Sequence, residues 1–395
     1  MRFAGGALAR GLVRSFDARP PSADAGFTAG DIGLILGLWL LTRLGLAAIA
    51  LMVAGGDAAE IGATLCRFDC PWYVEIAASG YDEEVRRWPN WMGANWAFFP
   101  ALPLLIAGTS QLTGLAGTWA GIACAQVLAL AAYGLMFVYV QDFADKPTAR
   151  AGVVLLALSP FAVHGSVPMS EAVFVPLLIA VFLAARREAW GVVALAAAAL
   201  SATRTIGVLV AIPLALMAWR QFGLWRLLRL APGTEMAVLA IAASGLGLAA
   251  FMLHLDWVAG DGLGFSHIQV AWNRAFVAPW TTVFTALNPL TAEPGWYIYD
   301  GLNLLVTLGA LVLVAAAFRV GLGPEAVYVT VAILIALTTG KTTSLPRFIG
   351  AMAPLVVPVA IWAQAGGRLA PVAIGSATLA AVVAWLWCAG VGLVM

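Results

Sequence analysis

The chain has 395 residues; 62% are hydrophobic and only 10% charged, with mean hydropathy +0.94. Soluble domains carry about 25% charged residues, so this chain cannot cover a water-facing surface, and neither a soluble globular domain nor a disordered segment fits. A formal net charge of +1 with no long basic block offers nothing to a nucleic acid. At about 20 apolar residues per crossing, the composition allows about ten or more transmembrane helices. The 16 tryptophans suit anchoring at the membrane interface.

Residues 1–30 form a basic arm with Arg2, Arg10, Arg14 and Arg19, which predict a cytoplasmic N-terminus. Phe3, Leu8, Leu12 and Phe16 recur at roughly helical spacing, so the arm reads either as a surface helix or as a disordered tail. Residues 31–395 read as one transmembrane domain. The first apolar run covers 32–54, and no cleavable signal precedes it. Further spans are predicted near 119–140, 150–166, 169–185, 190–203, 205–219, 235–255, 301–318, 325–340, 348–364 and 371–392. Several are short and split by Pro or Ser, as expected for broken helices around a cavity. Residues 97–113 are left out of the count, because counting them as a crossing would turn most downstream arginines outward. With about 11 spans, 13 of the 21 basic residues fall on the inner side. The loops 55–100 and 256–300 then lie outside and carry short juxtamembrane helices. Long mixed loops on a helical scaffold are where chemistry concentrates.

In the first loop, Trp72, Tyr73 and Ile76 give a short helix with one apolar face. Asp69 stands just before it. As an N-cap it would accept a backbone N–H, with Pro71 in the first turn. As a free carboxylate at the membrane rim it could take a proton from a hydroxyl. Cys66 and Cys70, one helical turn apart, are poorly placed for a disulfide if the stretch is helical, and read as free or structural. Cys124 and Cys388 read as small apolar residues within spans. Asp82-Glu83-Glu84 reads as a solvated turn. Arg43, inside the first span, is expected to pair with an acid in the bundle.

Ser170-Glu171 lies at an outer helix end, where an ionisable group is costly unless paired or wet. His164 is expected to be a satisfied polar residue of the cavity wall, since no other His or Cys stands at ligand spacing. Arg204, Lys341 and Arg347 fall at outer span ends, against the charge trend. A phosphate is their natural partner, and snorkelling to headgroups is the alternative. The second loop mixes His267, Gln269, Trp272, Asn273, Arg274, Trp280, Trp296 and Tyr297. Such ring faces beside amides suit a sugar, but also an ordinary interface loop.

Taken in order, Phe68-Asp69 with Trp72-Tyr73 and Gly80-Tyr81, Phe98-Phe99-Pro100 with Pro103, Ser170-Glu171, and Thr203-Arg204-Thr205-Ile206-Gly207 resemble the blocks of the PIG-V mannosyltransferases, within the GT-C membrane glycosyltransferases. Ile268-Gln269, Trp272 and Pro346-Arg347 also fit. Phe68 departs from the usual Trp, and Cys70-Pro71 from the usual small residues. The Ala/Gly/Leu-rich composition looks bacterial, so the family's eukaryotic acceptor does not carry over.

The resemblance implies an all-α polytopic membrane protein with a GT-C-type bundle, in a bacterial inner membrane with its site on the outer face. It implies an inverting transfer, of mannose by the family's usual sugar, from a polyprenyl-phosphate donor to a lipid-linked or glycan acceptor. Asp69 would be the general base, and Glu171 would position substrate. Arg204, Arg347 and Lys341 would bind the donor phosphate. Tyr73, Tyr81, Trp96, Phe99, His164, Ser170, His267, Gln269 and Trp272 would contact substrate. A lipid phosphate leaves readily, so no metal is required; Mg²⁺ or Mn²⁺ on Asp69 and Glu171 is the alternative. The rival readings are a lipid-linked-sugar flippase or another secondary transporter, and a catalytically dead subunit.

Overall fold

The computed structural model describes residues 26–288 and 297–394. The arginines of the N-terminal arm, together with Trp296 and the Tyr297 side chain, lie outside the described residues. Helix α1 (Ala29–Val53) opens the bundle. Thr28 caps it, accepting from the Asp31 N–H while the Asp31 carboxylate accepts from the Thr28 N–H. Its 25 residues make it about 37 Å long, enough to cross a hydrocarbon core of about 30 Å. The first long loop, 55–100, holds α2 (Ile61–Leu65), α3 (Cys70–Ser79) and an antiparallel hairpin of β1 (Arg86–Trp88) and β2 (Trp91–Gly93), with Arg86 opposite Gly93.

The bundle continues through α4 (Ala101–Thr113), α5 (Gly117–Gln141), α6 (Lys146–Ala157), α7 (Ser170–Arg186) and α8 (Trp190–Ser201). A 3₁₀ turn, Thr205–Val210, leads into α9 (Ala211–Phe222) and the short α10 (Leu224–Leu228). Helices α11 (Glu235–Ala243) and α12 (Leu246–Ala259) form a pair bent by 42°. The second outer loop carries α13 (Gly264–His267), a 3₁₀ turn Ile268–Trp272 and α14 (Pro279–Leu287). Then follow α15 (Tyr297–Arg319), α16 (Gly323–Leu337), α17 (Leu345–Gly350), α18 (Val356–Ala365) and α19 (Leu369–Cys388).

Among the described residues, five helical units are long and apolar enough to cross a membrane: α1, α5, Thr205–Phe222, α15 and α19. The bent α11–α12 pair makes a sixth. The other predicted spans are shorter helices packed among these. Apolar residues cover the outward faces of the long helices: Leu40, Leu41 and Leu44 on α1, Leu302, Leu305 and Leu308 on α15, and Ile374, Leu379 and Val382 on α19 are all exposed. Patches of that extent on a folded surface belong against lipid.

Within the segment 97–113, α4 has 13 residues, about 20 Å, short of a hydrocarbon core of about 30 Å. Helix α4 runs back along the first half of α5, with Thr109 Oγ1 2.9 Å from Cys124 Sγ. It starts deep in the bundle, where Leu102 packs with Leu128 near the middle of α5 and the Ala101 N–H reaches the Ala202 carbonyl at 3.0 Å. At about 18–20 Å, α4, α6 and α8 are half-length helices. A recess opens beneath the loops 55–100 and 256–300. Arg43 differs from expectation: its guanidinium donates to Gln126 Oε1 at 2.7 Å and Tyr133 OH at 3.3 Å, with no carboxylate partner among the described residues. Two neutral acceptors at that depth do the work expected of an acid.

The end of the bundle opposite the loops is closed by ion pairs. Arg150 and Lys146 meet Asp31 at 2.7 and 3.9 Å, and Arg187 meets Asp142 at 3.0 Å. Arg186 forms a two-pronged pair with Glu325 at 2.6 and 2.7 Å, both residues almost fully buried. Tyr139 OH donates to the same carboxylate at 2.7 Å. Removing one partner of such a pair strands a charge in low dielectric. Glu325→Ala is therefore expected to cost about 3–5 kcal/mol of stability, read as a large drop in melting temperature in detergent. Arg186→Met with Glu325→Met should recover most of that loss.

Candidate active site

The recess is a cavity of about 440 Å³ between the outer loops and the ends of α7, α8, α15 and α17. That is within the usual range for a small-ligand site. Asp69 lines it. The capping alternative for Asp69 fails: its side chain makes no cap bond to α3. Pro71, at the second helical position, has no N–H, and the remaining cap donor, the Trp72 N–H, is held by the Asp69 carbonyl at 3.2 Å. Asp69 Oδ2 instead accepts from Arg347 Nη1 at 2.7 Å. Oδ1 has no hydrogen-bond partner among the described residues.

Arg347 lies in the first turn of α17, after Ser344 in the left-handed region at φ 71°. It bridges two carboxylates, with Nε 3.1 Å from Glu171 Oε1. Glu171, 2% exposed, also receives Arg204 Nη2 at 3.0 Å. Asp69, Arg347, Glu171 and Arg204 thus form an alternating row of charges. Glu171 stands behind the cavity wall, covered by its two arginines, rather than in the lining. The Arg204 guanidinium stacks over Phe348 at 4.5 Å, and its Nη1 is buried without a hydrogen bond among the described residues. The Thr-Arg-x-x-Gly stretch gives this turn its shape. A Cβ at Gly207 would collide with the Leu200 carbonyl, so only glycine lets the 3₁₀ turn fold back onto α8 and aim Arg204 inward.

Tyr73, Phe99, Ser170, Gln269, Trp272 and Lys341 also line the cavity. Burial, and then the neighbouring Asp69 carboxylate, hold the Tyr73 phenol well above its ordinary pKa, so it stays a neutral hydrogen-bond donor. Four other candidates do not line it. Tyr81 OH donates to the Phe98 carbonyl at 2.7 Å, and Trp96 Nε1 to the Asp82 carbonyl at 2.7 Å; both brace the first loop. His164 is buried against the Trp387 ring at 5.3 Å, with Nδ1 3.2 Å from the Phe161 carbonyl. His267 is exposed and paired with Asp261 at 2.7 Å. Asp82 is no solvated turn: it pairs with Arg86 and accepts from the Asn95 N–H at 3.0 Å, which folds the hairpin back onto the loop.

Three expectations missed what the fold assembles. Cys66 and Cys70 are joined in a disulfide, with Cα atoms 5.1 Å apart. The stretch is not one helix: Cys66 ends α2, Cys70 begins α3, and Phe68 turns the chain between them at φ 55°. Arg274 lines the cavity, its Nη1 donating to Gln269 Oε1 at 2.9 Å and its Nη2 3.4 Å from Ser344 Oγ. Burial, and then the nearby Arg347 charge, pull its pKa down from the ordinary arginine value; it stays charged nonetheless. Asp300 lines the cavity too and accepts from the Thr342 hydroxyl. Both residues were open to the criterion that picked out Lys341, a charge at the outer end of an apolar run.

The lining thus holds four cations, Arg204, Arg274, Lys341 and Arg347, against Asp69 and Asp300, with Glu171 behind. The excess is one positive charge. Arg274 and Lys341 are the two without a carboxylate partner among the described residues. They sit on paired segments: the Ala275 N–H reaches the Thr339 carbonyl at 3.2 Å, and the Val277 N–H the Thr338 carbonyl at 2.9 Å. Among the described residues, no cluster of three or more His, Cys, Asp or Glu side chains could hold a metal ion.

No protein-family model matches the chain, and no curated protein does. Among solved structures it is similar to ArnT from Cupriavidus metallidurans bound to undecaprenyl phosphate, at 13% identity and TM-score 0.48, covering 88% of this chain and 76% of that one. The apo form of the same protein gives 13% identity and TM-score 0.46 over 99% of this chain and 75% of that one.

Removing Arg347 leaves two carboxylates facing each other. Arg347→Ala is expected to cost about 3 kcal/mol or more of stability, whereas His267→Ala should stay within about 0.5 kcal/mol of wild type, both read by thermal unfolding in detergent. A comparable loss in both would mean that the buried row of charges does not hold the site together.

Proposed function

We propose that the chain is a membrane glycosyltransferase that takes a sugar from a polyprenyl-phosphate donor and passes it, with inversion, to a hydroxyl of a lipid-linked or glycan acceptor. The observation that carries this reading is Asp69: a carboxylate in the cavity lining, gripped at Oδ2 by Arg347 and without a hydrogen-bond partner at Oδ1 among the described residues. Oδ1 takes the acceptor proton as the acceptor oxygen attacks the anomeric carbon. The bond from that carbon to the phosphate oxygen breaks, and its electron pair leaves with the phosphate. The excess positive charge of the cavity meets the charge that develops there. Arg274 and Lys341 face the phosphate directly, because Arg204 and Arg347 are already engaged by Glu171 and Asp69. Glu171 is a positioning residue that holds both arginines.

Mannose is the sugar that the resemblance to the PIG-V blocks favours. The reaction needs no divalent metal in this scheme, since the Arg347 guanidinium takes the place between Asp69 and Glu171 that a bridging cation would occupy. Placement in a bacterial inner membrane with the site on the outer face is supported by the opposite end of the bundle, where Lys146, Arg150, Arg186 and Arg187 gather, as on cytoplasmic ends.

The test is transfer of label from radiolabelled polyprenyl-phosphate mannose into membrane lipid and glycan extracts. Wild type should form a labelled product, and Asp69→Asn should form it about 100-fold or more slowly. Lys341→Ala and Arg274→Gln should raise the donor KM. Equal transfer by Asp69→Asn would remove Asp69 as base. Altered donor movement across the bilayer with no new product would replace the transferase by a carrier.

A further inference from the structure

The ring closed by Cys66 and Cys70 contains Arg67, Phe68 and Asp69, so the base of the proposed reaction sits inside a disulfide loop. Both flanks of that loop are anchored. On one side, Trp387 Nε1 donates to the Leu65 carbonyl at 3.0 Å, Arg67 Nε donates to the Cys388 carbonyl at 3.3 Å, and the Phe68 ring packs edge-on against Trp387 at 4.9 Å. On the other side, Cys70 is fully buried and opens α3, whose Tyr73 and Ile76 are buried in the loop core. Between the two, Phe68 takes a left-handed conformation at φ 55°, which a residue with a Cβ resists. Next to it, Asp69 holds the N-cap position of α3 without capping it. Aspartate is among the best N-caps, so a relaxed chain has a competing use for this carboxylate.

We infer that the Cys66–Cys70 disulfide is a positioning element of the active site, holding the left-handed turn at Phe68 so that Asp69 faces Arg347 and the cavity instead of capping α3. The inference rests on the transferase reading for its catalytic consequence, but not for its structural one. With the ring open, Asp69 withdraws from Arg347 toward the helix end. The base is lost, and the Arg347 charge is released into the cavity. Since disulfides persist in oxidising compartments, the site would be competent only on the side of the membrane where this bond survives.

The experiment is a double-mutant cycle on the full chain in lipid nanodiscs, combining Cys66→Ala/Cys70→Ala with Asp69→Asn. It reads kcat with a polyprenyl-phosphate sugar and Kd for polyprenyl phosphate. Opening the ring should lower kcat by about as much as Asp69→Asn does, about 100-fold, with donor KM nearly unchanged, and Asp69→Asn should then cost less than about 3-fold further. Opening the ring and Asp69→Asn should each tighten polyprenyl phosphate binding, and the two together no more than either alone. A ring with only a structural role would leave the full Asp69→Asn effect in both backgrounds and weaken binding; either result overturns the inference. So does peptide mapping that finds both thiols free in protein taken from its membrane. If the alanine pair does not fold, wild type reduced with a phosphine and alkylated in nanodiscs replaces it. A wild type that transfers nothing would sink the transferase reading, while the binding cycle still decides the role of the ring.

Discussion

Arg347 stands between two carboxylates, Glu171 buried behind the cavity wall and Asp69 in its lining. It donates to Asp69 at 2.7 Å and stands 3.1 Å from Glu171, which in turn holds Arg204 at 3.0 Å. In such surroundings an unmatched charge costs several kcal/mol, so each member of the row depends on its neighbours. The four residues come from the first outer loop, α17, the start of α7 and the turn after α8. Four distant segments must therefore meet for any one of them to be tolerated. The same condition that keeps the fold intact also points one carboxylate oxygen into the cavity.

The half-length helices create the space for this arrangement. Helices α4 and α8 meet deep in the bundle, where the Ala101 N–H reaches the Ala202 carbonyl, and the chain turns there instead of crossing. Glycine makes the turn at Arg204 close enough, and a second one, Gly247, lets α12 press against Ala198 and Ala202 of the same region. The opposite end is closed by Arg186–Glu325 and Asp31–Arg150, so the bundle is tied at one end and open at the other. The recess lies beneath the two loops that bring Trp72, Phe98 and Trp272 together.

Much of this was legible in the chain itself. Asp69, Glu171, Arg204 and Arg347 stood out because ionisable residues at the ends of apolar runs are expensive, and the structure brings all four together. Leaving 97–113 out of the crossings rested on charge asymmetry, and the 13 residues of α4 are short for a crossing. What stayed hidden depends on pairing between remote segments or on a single backbone angle. Arg274 gains its place beside Lys341 through hydrogen bonds between 275–277 and 338–339. The disulfide depends on Phe68 leaving the helical region, which no periodicity reports. Tyr81, Trp96 and His267 were misplaced because a mixed aromatic and polar loop does not say which of its side chains brace it and which face inward. An acid was expected for Arg43, where an amide and a phenol suffice.

In the proposed reaction, Asp69 Oδ1 and the two cations without a carboxylate partner among the described residues, Arg274 and Lys341, face one bound lipid phosphate across this cavity. The most direct measurement is a structure of the chain in nanodiscs with polyprenyl phosphate. The account predicts the phosphate within hydrogen-bonding reach of Arg274 and Lys341, with Asp69 still held by Arg347 and its Oδ1 turned toward the phosphate. A phosphate bound at the opposite end of the bundle, or Asp69 turned away to cap α3 while the lipid is in place, would contradict it.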